Sequence, residues 1–216
     1  MKRGPMDIPD RADRLKWIYA TRGNKKLAER YDAWAEDYDE DLLSYGYKLP
    51  SVCIGLVVRH APSPEARLLD AGAGTGILGE SLHILGYQNM VAIDLSQGML
   101  DVARNKGAYR ELRQMTLGET LDFANDSFAA TVAMGVLTLG HGPPESLDEL
   151  VRVTRPGGPI IFSMITSEIV QHQFRAKQDL LEREGRWSFV EVTAPFQSMP
   201  YDEPDITHRV FVYRVT

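Results

Sequence analysis

The stretch Arg67-Leu68-Leu69-Asp70-Ala71-Gly72-Ala73-Gly74-Thr75-Gly76-Ile77-Leu78-Gly79 decides how this chain folds and what it binds. A short apolar segment ends on a carboxylate, three glycines follow at alternate positions, and a helical pattern then begins. This order is typical of a strand, a loop and a helix that together bind a nucleotide. A pyrophosphate is disfavoured beside the Asp70 carboxylate, whereas a ligand with an ammonium group and no phosphate is favoured.

A second acid, Asp94, ends the next predicted strand, Val91-Ala92-Ile93-Asp94. Its distance along the chain from Asp70 is close to the roughly 20 residues expected for an acid that binds ribose hydroxyls. A carboxylate accepts hydrogen bonds from two adjacent hydroxyls and repels a 2′-phosphate. Either acid alone also fits helix capping at a strand end. Both together around this loop favour a cofactor such as S-adenosylmethionine (SAM).

The composition indicates one soluble α/β domain. The chain has 216 residues, of which 44% are hydrophobic, enough for one buried sheet but short for two domains. The net charge of −6 implies no broad basic surface, so nucleic acid is not expected as a partner. The apolar runs are too short to span a membrane, and the N-terminus lacks the apolar stretch of a secretory signal. These features predict a cytoplasmic protein with no membrane partner; the oligomeric state stays open.

The cysteine count argues against metal and disulfide chemistry. The single cysteine, Cys53, excludes an intramolecular disulfide and a cysteine-rich metal site, and its apolar neighbours favour a core position. No group of His, Cys and Asp residues has metal-ligand spacing, so no metal is predicted.

Three parts are predicted along the chain. Residues 1–25 read as an N-terminal tail or lead-in with a short helix at 11–21, residues 26–62 as a helical cap, and residues 63–216 as the cofactor-binding core. In the cap, apolar residues recur at steps of three and four, which predicts a helix from Lys26 through Leu42 and a second helix at 50–60.

Strands and helices alternate through the core, which predicts a Rossmann-like α/β fold. Ser96 and Gly107 are predicted to start and stop the helix between them. A closing antiparallel pair completes a seven-stranded, mostly parallel sheet with helices on both faces. Ligands of such sheets bind outside the carboxyl ends of the strands. The predicted strands are 68–70, 90–94, 110–115, 128–136, 159–165, 187–193 and 208–215.

From about residue 31 to residue 215 the chain resembles the class I SAM-dependent methyltransferases. The motifs that carry this resemblance are residues 68–76, residues 92–100, Asp126-Ser127-Phe128 and residues 150–158. Residues 31–39, 109–112, 140–145 and 174–177 are similar to the Williams–Beuren syndrome chromosome region 27-type (methyltransferase-like 27) branch. This narrower resemblance implies little about the substrate.

The resemblance implies a role for each end of the cofactor site. Gly72, Gly74 and Gly76 would line the methionine end of SAM, and Asp70 would hold its amino group through water. Asp94 would bind the ribose hydroxyls. Further cofactor contacts are implied for Ala73, Leu95, Met99, Thr116, Leu117 and Gly135.

The adenine end departs from the usual family pattern. Leu95 and Met99 would flank the adenine ring, but the position that commonly offers an acid to the adenine amino group falls on Thr116, with Leu117 next. A threonine hydroxyl accepts a hydrogen bond without charge. Recognition of the adenine would then be weaker, or would rest on Glu119 or on backbone groups.

Two residue types could serve the methyl-transfer end. Tyr31, Trp34 and Tyr38 share one predicted helical face; packing is favoured for Trp34, whereas Tyr31 and Tyr38 fit either packing or a lid over SAM with a hydroxyl at the acceptor. His141, after strand four, is the best candidate for a general base, although shaping of the acceptor pocket is the simpler role. Packing or surface roles are predicted for His60, His83, His172 and His208.

These observations predict a SAM-dependent methyltransferase that moves a methyl group to an O, N or C atom of a small-molecule acceptor and releases S-adenosylhomocysteine (SAH). Residues 167–184 and the N-terminal helices are expected to build the acceptor pocket. One alternative is a protein of the same fold that binds SAM without methylation, as a cyclase or a regulatory subunit. A less favoured alternative is an NAD-dependent oxidoreductase, because residues 74–79 literally match G-x-G-x-x-G.

Overall fold

A computed structural model describes residues 8–138 and 140–216. Within these residues eight strands form one sheet. They are β1 (Leu68–Ala71), β2 (Met90–Asp94), β3 (Glu111–Gln114), β4 (Ala130–Ala133), β5 (Pro159–Ile165), β6 (Trp187–Val192), β7 (Phe196–Gln197) and β8 (Thr207–Val215).

The sheet has the predicted Rossmann-like topology. Seven strands follow the order β3-β2-β1-β4-β5-β8-β6, and the two-residue strand β7, which the sequence did not indicate, pairs only with β8. The pairs from β3 to β5 are parallel, whereas β8 runs antiparallel to β5 and β6. Strands buried on both faces read as short continuous apolar runs, which is why β2 and β5 begin and end where predicted.

Helices cover both faces of the sheet, as predicted. The side chains of α4, α5 and α6 pack on one face, and those of α7 and α8 on the other. Ser96 caps α6 by accepting a hydrogen bond from the Met99 N–H at 3.0 Å. The helices are α1 (Arg14–Tyr19), α2 (Asn24–Trp34), α3 (Tyr38–Tyr45), α4 (Leu49–His60), α5 (Ile77–Ile84), α6 (Gln97–Asn105), α7 (Ser146–Val153) and α8 (Glu168–Arg183).

The prediction of one helix from Lys26 through Leu42 is wrong. Helix α2 ends at Trp34, and α3 begins at Tyr38. Between them the Asp37 N–H donates to the Trp34 carbonyl at 3.1 Å, a tighter step than the α-helical one. The intervening residues include neither glycine nor proline, so the usual breaker signal is missing. The break gives α3 its own direction across the end of the sheet.

The predicted helix at 11–21 is confirmed as a short 3₁₀ turn (Arg11–Asp13) followed by α1. Leu15 and Ile18 are buried in a third apolar cluster, together with Leu27, Trp34 and Leu42 of the cap. The described part of the lead-in therefore packs in the same layer as the cap helices. The division at residues 25 and 62 stays a prediction.

Candidate active site

A cavity enclosing about 560 Å³ lies at the carboxyl ends of β1 and β4, where the strand order reverses. This is the position at which open α/β sheets bind their ligands. The loops after β1, β2 and β4 form its floor, and α2 and α3 form its roof. Of the predicted cofactor residues, its wall contains Tyr31, Tyr38, Gly72, Ala73, Gly74, Asp94, Leu95, Met99 and Gly135.

The predicted adenine residues lie in an adjoining cleft. Thr116 and Leu117 line this smaller space of about 330 Å³, whose wall also includes Gly72, Asp94 and Leu95 of the main cavity. The two spaces therefore adjoin at Asp94. Asp70 and Gly76 do not line either of them.

Backbone N–H groups fix the Asp94 carboxylate at the cavity wall. Gly74 donates to Oδ2 at 2.8 Å, and Ser96 donates to Oδ1 at 2.9 Å. Burial raises the pKa of the Asp94 carboxyl above its usual range, and these N–H groups oppose that shift. The carboxylate is thus oriented before a ligand arrives, which suits a bidentate contact with ribose hydroxyls.

Asp70 lies beneath the glycine loop, with 5% of its surface exposed. The Tyr109 hydroxyl donates to Asp70 Oδ2 at 2.6 Å. Burial raises the pKa of Asp70 to about 6; the Tyr109 hydrogen bond opposes the rise and repulsion from Asp94 adds to it. Asp70 does not line the cavity. It would therefore act on a bound amino group through water or through its charge.

Tyr109 also explains two of the glycines. A Cβ on Gly76 would lie 2.9 Å from the Tyr109 ring, and one on Gly79 would lie 2.1 Å from its hydroxyl oxygen. These two positions of the G-x-G-x-x-G match make room for the Tyr109 side chain. Gly76 does not line the cavity, so its place at the methionine end of the cofactor stays a prediction. Tyr109 carried part of the family resemblance, but nothing in its sequence neighbourhood indicates this contact.

We expect the affinity for SAH to weaken as the pH falls through about 6. Asp70 becomes protonated there, and the resemblance assigns its charge to the cofactor amino group. The free energy of unfolding changes with pH in the opposite direction. An acid whose pKa is raised in the folded state makes the unliganded protein more stable as the pH falls from about 6 towards 4. Calorimetric titration with SAH and urea unfolding across this range measure both trends. Asp70→Asn should flatten both; unchanged trends in that variant would assign them to other groups.

Two aspartates fasten the cap to the core. Asp32 on α2 accepts hydrogen bonds from the Ser96 hydroxyl at 2.6 Å and from the Gly98 N–H at 2.8 Å, at the first turn of α6. Asp39 on α3 accepts a hydrogen bond from the Thr75 hydroxyl and forms an ion pair with Lys106. Both cap helices are thus held directly on the loops that line the cavity. Sequence reasoning missed both aspartates, although they flank the aromatic residues of the cap.

The Gly98→Ala substitution is expected to loosen the cap. A Cβ at Gly98 would lie 2.8 Å from the Asp32 Cα, a backbone atom that cannot swing away. Losing the one hydrogen bond between the Gly98 N–H and the Asp32 carboxylate is worth about 1.5–3 kcal/mol, so SAH should bind about ten- to a hundredfold more weakly if the cap must close over it. Calorimetric titration measures this change. Gly55→Ala on α4 is the matched control, because no atom lies within 4 Å of its added Cβ and a stabilisation of about 0.4–1 kcal/mol is expected. Equal SAH affinity in the two variants would contradict the cap contact.

Tyr31 and His141 meet at the wall of the cavity. The Tyr31 hydroxyl lies 2.9 Å from His141 Nε2, and the direction of this hydrogen bond depends on the imidazole tautomer. Burial raises the pKa of Tyr31 well above its usual value, so its hydroxyl keeps its proton. His141 borders the main cavity, the adenine cleft and a second chamber. The structure therefore brings the predicted lid tyrosine and the predicted base together.

The second chamber encloses about 600 Å³ behind this pair. It shares Tyr31, Tyr38, Leu42, Tyr47, Gly135 and His141 with the cavity, so the two spaces adjoin. Its remaining wall comes from α1, α2, the start of α4, the segments at the ends of β4 and β5, Met199 and His208. The N-terminal helices contribute to this chamber, whereas none of its described lining residues comes from 167–184, because α8 packs on the other face of the sheet.

A packing or surface role was predicted for His208, and the structure adds a position in the wall of the second chamber. His208 stands on β8 in the wall of the second chamber, and its Nδ1 lies 2.8 Å from the Ser198 hydroxyl. Burial lowers the pKa of His208 to about 4, so the imidazole is neutral at pH 7. Strand alternation alone does not reveal this position, since it depends on how the cap closes over the sheet.

The groups that line the main cavity suit SAM. A Cβ at Gly72 would lie 2.6 Å from the Val136 side chain, and one at Gly135 would lie 2.8 Å from the Tyr47 hydroxyl, so only glycine lets the backbone form these walls. Asp94 offers a carboxylate to the ribose, and aromatic rings of the cap suit a sulfonium cation. Among the described residues no group of three or more His, Cys, Asp or Glu side chains is placed to hold a metal ion.

The sequence and the fold match known methyltransferases. Residues 69–162 match the family described as "Methyltransferase domain". Human methyltransferase-like protein 27 is 34% identical over 179 residues, which cover 79% of this chain and 73% of that protein. Malonyl-[acyl-carrier protein] O-methyltransferase of Serratia marcescens is 39% identical over 155 residues, 68% of this chain and 52% of that one. A SAM-dependent methyltransferase structure from Thermotoga maritima, a possible histamine N-methyltransferase, superimposes with a TM-score of 0.62 at 17% identity and covers 86% of this chain and 98% of its own.

The fold and the cavity define a Rossmann-like enzyme that uses SAM as cofactor and releases SAH. The chain belongs to the family of SAM-dependent methyltransferases, and its likeness to methyltransferase-like protein 27 confirms the narrower resemblance that the sequence carries. No helix in the described part of the chain has the length and apolar character needed to cross a membrane.

Proposed function

We propose that this protein transfers the methyl group of SAM to a small molecule held in the second chamber. The carrying observation is that six residues line both spaces: Tyr31, Tyr38, Leu42, Tyr47, Gly135 and His141. An acceptor in the chamber would meet the methyl group of the cofactor between these shared residues. The chamber is lined mainly by apolar and aromatic side chains with a few polar groups, the kind of lining found in small-molecule sites.

We call the place where the two spaces adjoin the junction. The residues around it have distinct roles in the proposal. SAM, when bound, supplies a methyl group made electrophilic by the positive sulfur. The protein needs to align the acceptor and exclude water. Asp94 holds the ribose end, Gly72, Ala73 and Gly74 pass close beneath the cofactor, and Tyr31 and Tyr38 cover it.

His141 is the candidate base if the acceptor loses a proton. Its Nε2 lies against the Tyr31 hydroxyl, which fixes the ring at the junction. Tyr38 is the second candidate for a role at the acceptor: burial raises its pKa, so its hydroxyl keeps its proton and acts as a hydrogen-bond donor and not as a base. His141→Ala with near wild-type turnover would remove His141 as the base and leave it a role in shaping the pocket.

A labelled-methyl assay tests the proposal. Cell extract is separated into small molecules, proteins and nucleic acids, and each fraction is incubated with the protein and methyl-labelled SAM. Label is expected in the small-molecule fraction and should be lost with Asp94→Ala. Label only in protein or nucleic acid would refute the small-molecule acceptor. SAM binding without label in any fraction would favour the cyclase or regulatory alternative. The absence of nucleic-acid and membrane partners and the cytoplasmic location remain predictions.

A further inference from the structure

The wall of the second chamber consists of apolar and neutral polar side chains. None of its described lining residues is Asp, Glu, Lys or Arg. Leucine, methionine and isoleucine side chains alternate there with the rings of Trp34 and several tyrosines. Where the structure gives a pKa shift for these tyrosines, it is upwards, so their hydroxyls stay protonated. The wall therefore offers hydrophobic contact and neutral hydrogen-bonding groups.

Such a wall selects against charged acceptors. A carboxylate or ammonium group taken from water into a buried space costs several kcal/mol unless an opposite charge meets it. The carboxylates that contact lining side chains are Asp41, at the Trp34 indole N–H, and Glu203, at the Tyr19 hydroxyl. Neither carboxylate lines the chamber itself. An uncharged acceptor avoids this cost and gains from contact with the aromatic rings.

His208 lines this wall but not the cofactor cavity, and it is hydrogen-bonded to Ser198, which does not itself line the chamber. Ser198 is fully buried and His208 is 6% exposed, and the hydrogen bond between them occupies the Nδ1 side of the imidazole. Nε2 is then the ring nitrogen that can form a hydrogen bond with a ligand. A neutral imidazole held by a buried hydroxyl presents one hydrogen-bonding atom in a defined direction.

We propose that the methyl acceptor is an uncharged, largely apolar molecule whose hydroxyl or carbonyl group hydrogen-bonds to His208, with Ser198 as the positioning residue. This inference rests on the proposed function and narrows its substrate class. It assigns His208 a role in specificity rather than in the transfer step, since His141 occupies the junction.

Matched probes test the charge preference. The protein is saturated with SAH, and the binding of naphthol, naphthalene, naphthoate and naphthylmethylammonium is followed by fluorescence. Naphthol is expected to bind at least tenfold more tightly than either ion, a difference of about 1.4 kcal/mol. A parallel set built on a straight alkyl chain covers an acceptor that is not planar. Equal or tighter binding of a charged member, or no binding by the neutral members of both sets, overturns the proposal.

Variants test the role of His208. His208→Leu should reduce the affinity for naphthol to that for naphthalene, Ser198→Ala should reduce it in part, and His208→Gln should restore part of the difference. His172→Leu, at an exposed position of α8, is the control and should change nothing. A naphthol-to-naphthalene ratio that His208→Leu leaves unchanged contradicts the assignment. SAH affinity, measured in each variant, separates this from a failure to fold. A wild-type protein that binds SAH but methylates no small molecule would refute the proposed function instead.

Discussion

Asp94→Ala is expected to reduce SAH binding by two to four orders of magnitude. The carboxylate is held by the Gly74 and Ser96 N–H groups, and the family resemblance assigns it two ribose hydroxyls. A hydrogen bond to a charged group is worth about 1.5–3 kcal/mol, so the loss of two such bonds to the ligand amounts to roughly 3–6 kcal/mol. Each 1.4 kcal/mol is about tenfold in affinity. Calorimetric titration with SAH measures the change directly.

Two further variants separate ligand contact from loop structure. Asp94→Asn keeps an oxygen for one backbone N–H but loses the charge, so its affinity should lie between those of wild type and Asp94→Ala. Asp122→Ala, whose side chain is 96% exposed, removes an acid elsewhere and should bind SAH normally. If Asp94→Ala still bound SAH within a few-fold of wild type, the ribose assignment would be wrong.

The sheet could be predicted because the sequences of its buried strands differ clearly from those of their neighbours. A parallel strand covered on both faces must be apolar along its length, so β2 and β5 stand out from their polar flanks. Glycine and the Ser96 cap mark helix ends for equally local reasons. The two-residue strand β7 was not predictable, since two residues carry no period.

The site was predictable where it follows from strand ends and not where it depends on contacts between distant segments. Asp94 follows a strand directly, so its place in the wall could be inferred. The burial of Asp70 depends on Tyr109, 39 positions further on, filling the space that Gly76 and Gly79 leave. The chamber position of His208 likewise depends on the closure of the cap, which no local pattern encodes.

The break between α2 and α3 shows the same limit. Leu27, Tyr31, Trp34, Tyr38 and Leu42 keep helical spacing across it, and the residues of the turn themselves are good enough helix formers. The tertiary contacts on either side, including those of Asp32 and Asp39 with the core, favour two shorter helices over one long helix. Local propensity is a weak prior against such contacts.

Asp41→Ala is expected to destabilise the protein by about 3 kcal/mol or more, because it removes a buried carboxylate that joins three segments of the cap. The Asp41 side chain is fully buried on α3. It forms ion pairs with Arg11 and Arg14 and accepts a hydrogen bond from the Trp34 indole N–H at 2.7 Å. Without it, Arg14, whose side chain is 13% exposed, loses its buried partner and Trp34 keeps an unpaired buried donor.

Urea and thermal unfolding measure this effect, and Glu40 supplies the matched control. Glu40 is the neighbour of Asp41 and pairs with the same Arg11 at 2.7 Å, but its side chain is 77% exposed. An exposed pair contributes about 0–1 kcal/mol, so Glu40→Gln should unfold almost as wild type does. At about 2–4 °C per kcal/mol for a chain of this size, Asp41→Ala should melt roughly 6–12 °C lower. If the two variants melted at similar temperatures, water would solvate Arg11 and Arg14 as favourably as Asp41 pairs with them. Because Trp34 and Leu15 both line the second chamber, a loosened Asp41 variant should also lose affinity for the neutral probes before it loses SAH.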